Sequence, residues 1–123
     1  MKSFLLVALG GGLGAVLRYA MTLLPLGGAF PVKTLLTNLL GAALIGLVVG
    51  LSGRIPALGS EQTLFWKTGF CGGFTTFSTF SLEAVTLLET GKYLQGGAYI
   101  LLSVALCLMG VLAGKALAGM ITA

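Results

Sequence analysis

The chain has 123 residues, of which 57% are hydrophobic and 8% charged, with a net charge of +4 and no histidine. Seven basic and three acidic side chains cannot cover a water-soluble domain of this length, because soluble domains carry about a quarter charged residues. The only acids are Glu61, Glu83 and Glu89, which excludes a Ser/His/Asp triad, a histidine metal cluster and an aspartate dyad and leaves an integral membrane protein as the expected class.

Four apolar stretches are each close to the length of about 20 helical residues that a bilayer requires. The first runs from Ser3 to Leu24. It is longer than the hydrophobic stretch of a cleaved signal peptide, and none is expected. Its segment GGGLGAVLR matches GxGxxA at Gly10, Gly12 and Ala15. A dinucleotide site also needs a βαβ unit and an acid about 20 residues on; neither is present, so these glycines read as helix-packing residues. Arg18 interrupts the stretch. It either snorkels to the interface or lines a wet vestibule that attracts anions. Pro25 to Pro31, with Gly27 and Gly28, forms the first connection.

The second stretch, Thr34 to Leu51, carries no charge. Asn38 within TLLTNLLGAALIG needs partners in lipid. It either bonds a neighbouring helix or faces a polar path as a donor. The connection Gly53 to Thr63 holds Arg54, Pro56, Gly59 and Glu61.

The third stretch, Leu64 to Leu88, contains GFCGGFTTFSTFSLE. Gly69, Gly72 and Gly73 weaken a helix, and a break from Gly72 to Thr75 is expected. Broken backbone at membrane depth is buried in protein or lines a wet cavity. Free carbonyls there suit a hard cation such as Na⁺; the plain alternative is a kink. Beyond the break, Phe77 and Phe80 share a helical face, and Thr76, Thr79 and Glu83 form a second row, with Ser78 and Ser81 adding hydroxyls. Ring edges are electropositive, so edges and hydroxyls together can hold a small anion weakly, as conduction requires. The alternative is ordinary packing.

The fourth stretch runs from Leu94 to about Ile121, after the turn Glu89 to Lys92. Tyr99 and Ser103 lie one turn apart, either as pathway groups or as an interfacial anchor and a back-bonded serine. Cys71 and Cys107, 36 positions apart in apolar sequence, read as packing residues rather than a disulfide.

Four spans put both termini beside the second connection. Lys2, Arg54, Lys67 and Lys115 then stand against Arg18, Lys33 and Lys92 on the other side. That balance gives almost no positive-inside bias, which reads either as misplaced span ends or as insertion in both orientations. Gly10/Gly14, Gly46/Gly50 and Gly110/Gly114 fit the small-xxx-small contact pattern. Four short helices enclose little space, so a pore or carrier of this size calls for at least a dimer.

GGGLGAVLRY, TLLTNLLGAALIG and above all GFCGGFTTFSTFSLE closely resemble the Fluc/CrcB family of microbial fluoride channels, across essentially the whole chain. The resemblance implies an all-α, single-domain membrane protein (residues 1–123), four helices with the third broken at Gly72–Thr75, and an antiparallel, dual-topology homodimer in the cell (inner) membrane. It implies two fluoride pathways per dimer and passive fluoride export. It also implies a structural Na⁺ at the dimer centre, held by backbone carbonyls of Gly72 and Thr75. On the same basis the ion pathway would use Asn38, Phe77, Phe80, Thr79, Ser81, Glu83, Tyr99 and Ser103, with Arg18 at a vestibule. No enzyme activity and no nucleic-acid partner are expected. The rival readings are a small dual-topology, proton-coupled multidrug transporter, which needs a carboxylate that the first stretch lacks, and a structural membrane protein, which has no use for the run of hydroxyls and rings.

Overall fold

A computed structural model describes all 123 residues. The chain is all-helical. Three helices are long and apolar enough to cross a membrane: α1 (Lys2–Thr22), α2 (Val32–Ser52) and α6 (Tyr93–Ile121). Between α2 and α6 runs a composite segment. It begins with α3 (Ser60–Thr63), winds as a π-helix over Leu64–Cys71, returns to one turn of α-helix in α4 (Gly72–Phe74), opens at Thr75 and Thr76, and resumes as α5 (Phe77–Glu89).

The bundle consists of two parallel pairs. In the first, α1 lies along the π-helical segment. A Cβ on Gly14 would collide with Phe70 O and stand 2.7 Å from Phe74 N, and one on Gly73 would collide with Gly11 O. Backbone meets backbone here, the close approach that glycine alone permits between helices. In the second pair, α2 lies along α6, where a Cβ on Gly114 would collide with Ala43 O. The expected small-residue contacts therefore form within one chain.

Polar contacts at the ends follow the same register. Lys2 Nζ is 2.8 Å from Glu61 Oε1, and Arg54 Nη1 donates to Thr122 Oγ1 at 3.1 Å. The N-terminus, the second connection and the C-terminus thus share one end of the bundle. At the other end Lys33 Nζ donates to Thr22 O at 2.8 Å, where α1 finishes. The connections at that end turn on Gly28 and Gly91, whose φ angles of 113° and 80° lie in the left-handed region that favours glycine.

Only 18 of the 123 residues are buried, so most apolar side chains need lipid or another chain around them. Phe4, Leu13, Leu101, Leu108 and Leu112 point outward. The small interior gathers Ala84, Leu87 and Tyr99, with Phe30, Leu35, Phe80 and Ile100 against them.

The expected break is displaced. Gly72 and Gly73 stay helical, and the extended residues are Thr75 (φ −82°, ψ 157°) and Thr76 (φ −148°, ψ 114°). The reason is packing. Gly73 is used for its lack of side chain against Gly11 of α1, whereas the β-branched threonines, which lose rotamer freedom in a helix, take the extended positions.

Candidate functional site: an opened helix beside an apolar groove

Thr76 is the pivot of the site. Its N–H, which an uninterrupted helix would aim at Gly72 O, donates to Asn38 Oδ1 at 2.8 Å, and its carbonyl accepts from Asn38 Nδ2 at 3.1 Å. One amide side chain from α2 therefore satisfies both backbone groups of the opened residue, as buried peptide groups require. The bland expectation for Asn38, an interhelical hydrogen bond, is the one seen. The hydroxyl of Thr76 caps α5, accepting from Thr79 N at 3.1 Å, and donates to Thr79 Oγ1 at 3.0 Å. Thr75 folds its own hydroxyl back onto Cys71 O at 2.8 Å. The Thr75 carbonyl accepts no hydrogen bond from the chain.

Arg18 reaches this region from α1. Its Nε donates to Gly73 O at 3.0 Å, and no carboxylate pairs with it. The guanidinium is only part-buried. It braces the helix just before the opening and keeps its remaining donors free.

A groove of about 430 Å³ runs along α2, α6 and the composite segment. Asn38, Gly72, Thr75, Thr76, Phe77, Phe80 and Ser103 line it, with Lys67 and Cys107. Phe77 and Phe80 have centroids 5.5 Å apart at 45°, so they are tilted rather than stacked. Phe77 is largely exposed, whereas Phe80 is half-buried against Tyr99 at 5.1 Å. Ser103 is buried, and its Oγ is the one buried side-chain polar atom without a partner. Tyr99 is fully buried; its hydroxyl donates to Glu83 Oε1 at 3.4 Å, a long bond, and Phe30 meets its ring edge-on at 5.6 Å. Ser81 donates to Phe77 O at 2.8 Å, so its proton is committed to its own helix.

The structure thus brings Asn38, Thr75, Thr76, Phe77, Phe80 and Ser103 to one groove. Thr79, Ser81, Glu83 and Arg18 stand outside its lining. Three features had no clear sequence signal: the π-helical winding, the pairing of Arg18 with Gly73, and the position of Lys67 on the groove.

Residues 5–115 match the family described as CrcB-like protein, Camphor Resistance (CrcB). The chain belongs to the CrcB family. It is 46% identical over 116 residues to the fluoride-specific ion channel FluC of Methanococcus maripaludis, covering 94% of each chain. It is 47% identical over 107 residues to the FluC of Serratia proteamaculans, covering 85% of this chain and 84% of the relative. With the FluC of Rhizobium meliloti it shares 46% over 120 residues, 95% and 96% of the two chains. These relatives are ion channels, not enzymes. Family and apolar helices together make the chain an integral membrane protein.

Proposed function

We propose that the chain conducts fluoride passively out of the cell across the inner membrane, as an antiparallel pair of four-span subunits with two pathways. The observation that carries this reading is the Ser103 hydroxyl, buried and without a protein partner on the wall of an apolar groove. Buried polar groups are nearly always satisfied, so a free donor on the groove that Phe77 and Phe80 also line calls for a guest acceptor. Fluoride is a small, strongly hydrated acceptor that must exchange water for donors at each step. Ser103, the spare proton of the Asn38 amide and the edges of Phe77 and Phe80 supply donors of that kind. The 46% identity to a fluoride-specific channel supports the choice of ion.

The pairing rests on exposure. Phe77 is 78% exposed although it lines the groove, and a second copy across the groove would enclose it. The balanced basic residues support opposite orientations in the pair. Thr79, Ser81, Glu83 and Tyr99 would continue the pathway beyond the groove, and Arg18 would face a vestibule.

The Gly72 and Thr75 residues fit a Na⁺ site. Both line the groove, Thr75 O has no hydrogen bond, and the Thr76 N–H that would have closed onto Gly72 O is turned to Asn38. Carbonyls from two copies would hold the ion, which would supply fixed positive charge between the pathways and tie the subunits together. The multidrug-transporter alternative rests on Glu83 alone, which already accepts from Tyr99.

The test is fluoride efflux from proteoliposomes, with chloride-loaded vesicles as control. The parent should release F⁻ and retain Cl⁻, and Phe80→Ala or Ser103→Ala should cut F⁻ release at least tenfold while the dimer persists on size exclusion, roughly the loss of one donor of 1.4 kcal/mol or more. Matching F⁻ and Cl⁻ release, or none from folded dimer, would contradict the reading.

A further inference from the structure

Lys67 stands at a junction between two cavities. One is the groove described above. The other is a pocket of about 370 Å³ lined by Ser52, Ser60, Thr63, Leu64, Lys67 and Thr68, at the end of the bundle shared by the two termini. No carboxylate lines either cavity. Lys67 makes no ion pair, the chain's single one being Lys2 with Glu61. Ser52 donates its hydroxyl to Val49 O at 3.0 Å. The hydroxyls of Ser60, Thr63 and Thr68 donate to nothing in the chain, unlike those of Thr22, Thr37, Thr75, Thr86, Thr90 and Thr122, which fold back onto their own helices.

Three uncommitted hydroxyls and an unpaired ammonium around an acid-free volume are the donor set of a small-anion site. The ammonium is exposed and on a flexible stem, so its hold is weak and screened by salt. A weak hold suits collection and release rather than storage.

We propose that Lys67, with the hydroxyls of Ser60, Thr63 and Thr68, forms an anion-collecting site that raises the local halide concentration at one end of the groove. Lys67 borders both cavities, so an anion held in the pocket can follow the ammonium into the groove, towards Thr76 and Phe77. The role in transport rests on the fluoride-channel reading; the existence of the site does not.

Trp66, the only tryptophan, precedes Lys67 and gives a readout independent of conduction. Iodide quenching of its fluorescence is measured on the full chain at low salt, with neutral acrylamide as control. Lys67→Gln should lower the iodide quenching constant about threefold, the effect of one charge several ångströms away in water. Lys67→Arg should retain it, the Thr63→Val/Thr68→Val pair should lower it without any change of charge, and acrylamide quenching should stay constant throughout. Unchanged iodide quenching in Lys67→Gln overturns the site. So does an equal fall with acrylamide, which reports altered exposure, or an inert hydroxyl pair, which leaves a bare charge.

Fluoride efflux then tests the role. Lys67→Gln should slow it about threefold at low ionic strength, and the gap should close by about 0.5 M impermeant salt. A salt-independent loss overturns the role, and a loss confined to vesicles of anionic lipid assigns the lysine to a lipid phosphate instead. A parent chain that passes no fluoride would defeat the channel reading, while quenching still decides the site.

Discussion

The two irregular regions of the composite segment are stabilised by opposite means. The π-helical stretch lies on α1 with almost nothing between the backbones; Gly10, Gly14 and Gly73 leave no room for a Cβ. The opening at Thr75 and Thr76 is held by side chains, with the Asn38 amide on Thr76 and Arg18 on Gly73 O. One region is made rigid by removing atoms and the other by adding hydrogen bonds. Unpaired peptide groups cannot be left facing lipid, so both devices solve the same problem. Only the second leaves donors and a carbonyl available beside a groove.

Substitutions separate the two devices. The largest effect is expected for Gly14→Val, which drives a branched side chain into Phe70 O and the Phe74 backbone. Overpacking against backbone costs about 3 kcal/mol or more, so folded protein should be nearly lost; a monodisperse Gly14→Val chain with the parent melting temperature would refute the seam. Asn38→Leu should follow. It strands both Thr76 backbone groups, at about 1–3 kcal/mol for each unsatisfied group, and should lower the melting temperature and abolish fluoride efflux together. Asn38→Asp sharpens this, because it keeps the acceptor for Thr76 N but sets a carboxylate oxygen against Thr76 O. Efflux equal to the parent in both variants would show that the opening does not depend on Asn38. Arg18→Met is expected to be mildest, losing one hydrogen bond to Gly73 O, about 1.5–3 kcal/mol for a charged donor. A loss of efflux at unchanged melting temperature would move Arg18 from brace to pathway.

Much of this arrangement is legible from the residues. Apolar run lengths and breaker residues place the helices to within a few positions, because the bilayer fixes both length and composition. The hydroxyls and rings after the glycines include Thr75, Thr76, Phe77 and Phe80, which the fold brings to the groove. The exact opening is harder to read. Gly72 and Gly73 carry the strongest helix-breaking signal, yet both remain helical, and α1 needs the bare backbone of Gly73 against Gly11, a tertiary demand invisible to local propensity. The partner of Asn38 lies 38 residues away at Thr76, beyond any spacing rule. Ser81 sits in the hydroxyl row but bonds its own helix, which composition cannot distinguish from a hydroxyl turned to a pathway.

The π-helical stretch also bears on how the segment tolerates change in length. An α-helix turns by about 100° per residue, so a one-residue deletion in α2 would swing every later side chain to a new face. A π-helix is wound with i→i+5 bonds, one residue wider than an α-turn. Deleting a residue between Leu64 and Cys71 can be absorbed by tightening to α, with Gly73 still against Gly11. Single deletions should therefore survive here and fail in α2, a contrast that a single-residue deletion scan read out by fluoride efflux would expose, and equal failure in both would deny. The wide turn is slack in the helical register, a place along the groove where descent can shorten the chain and leave its chemistry aligned.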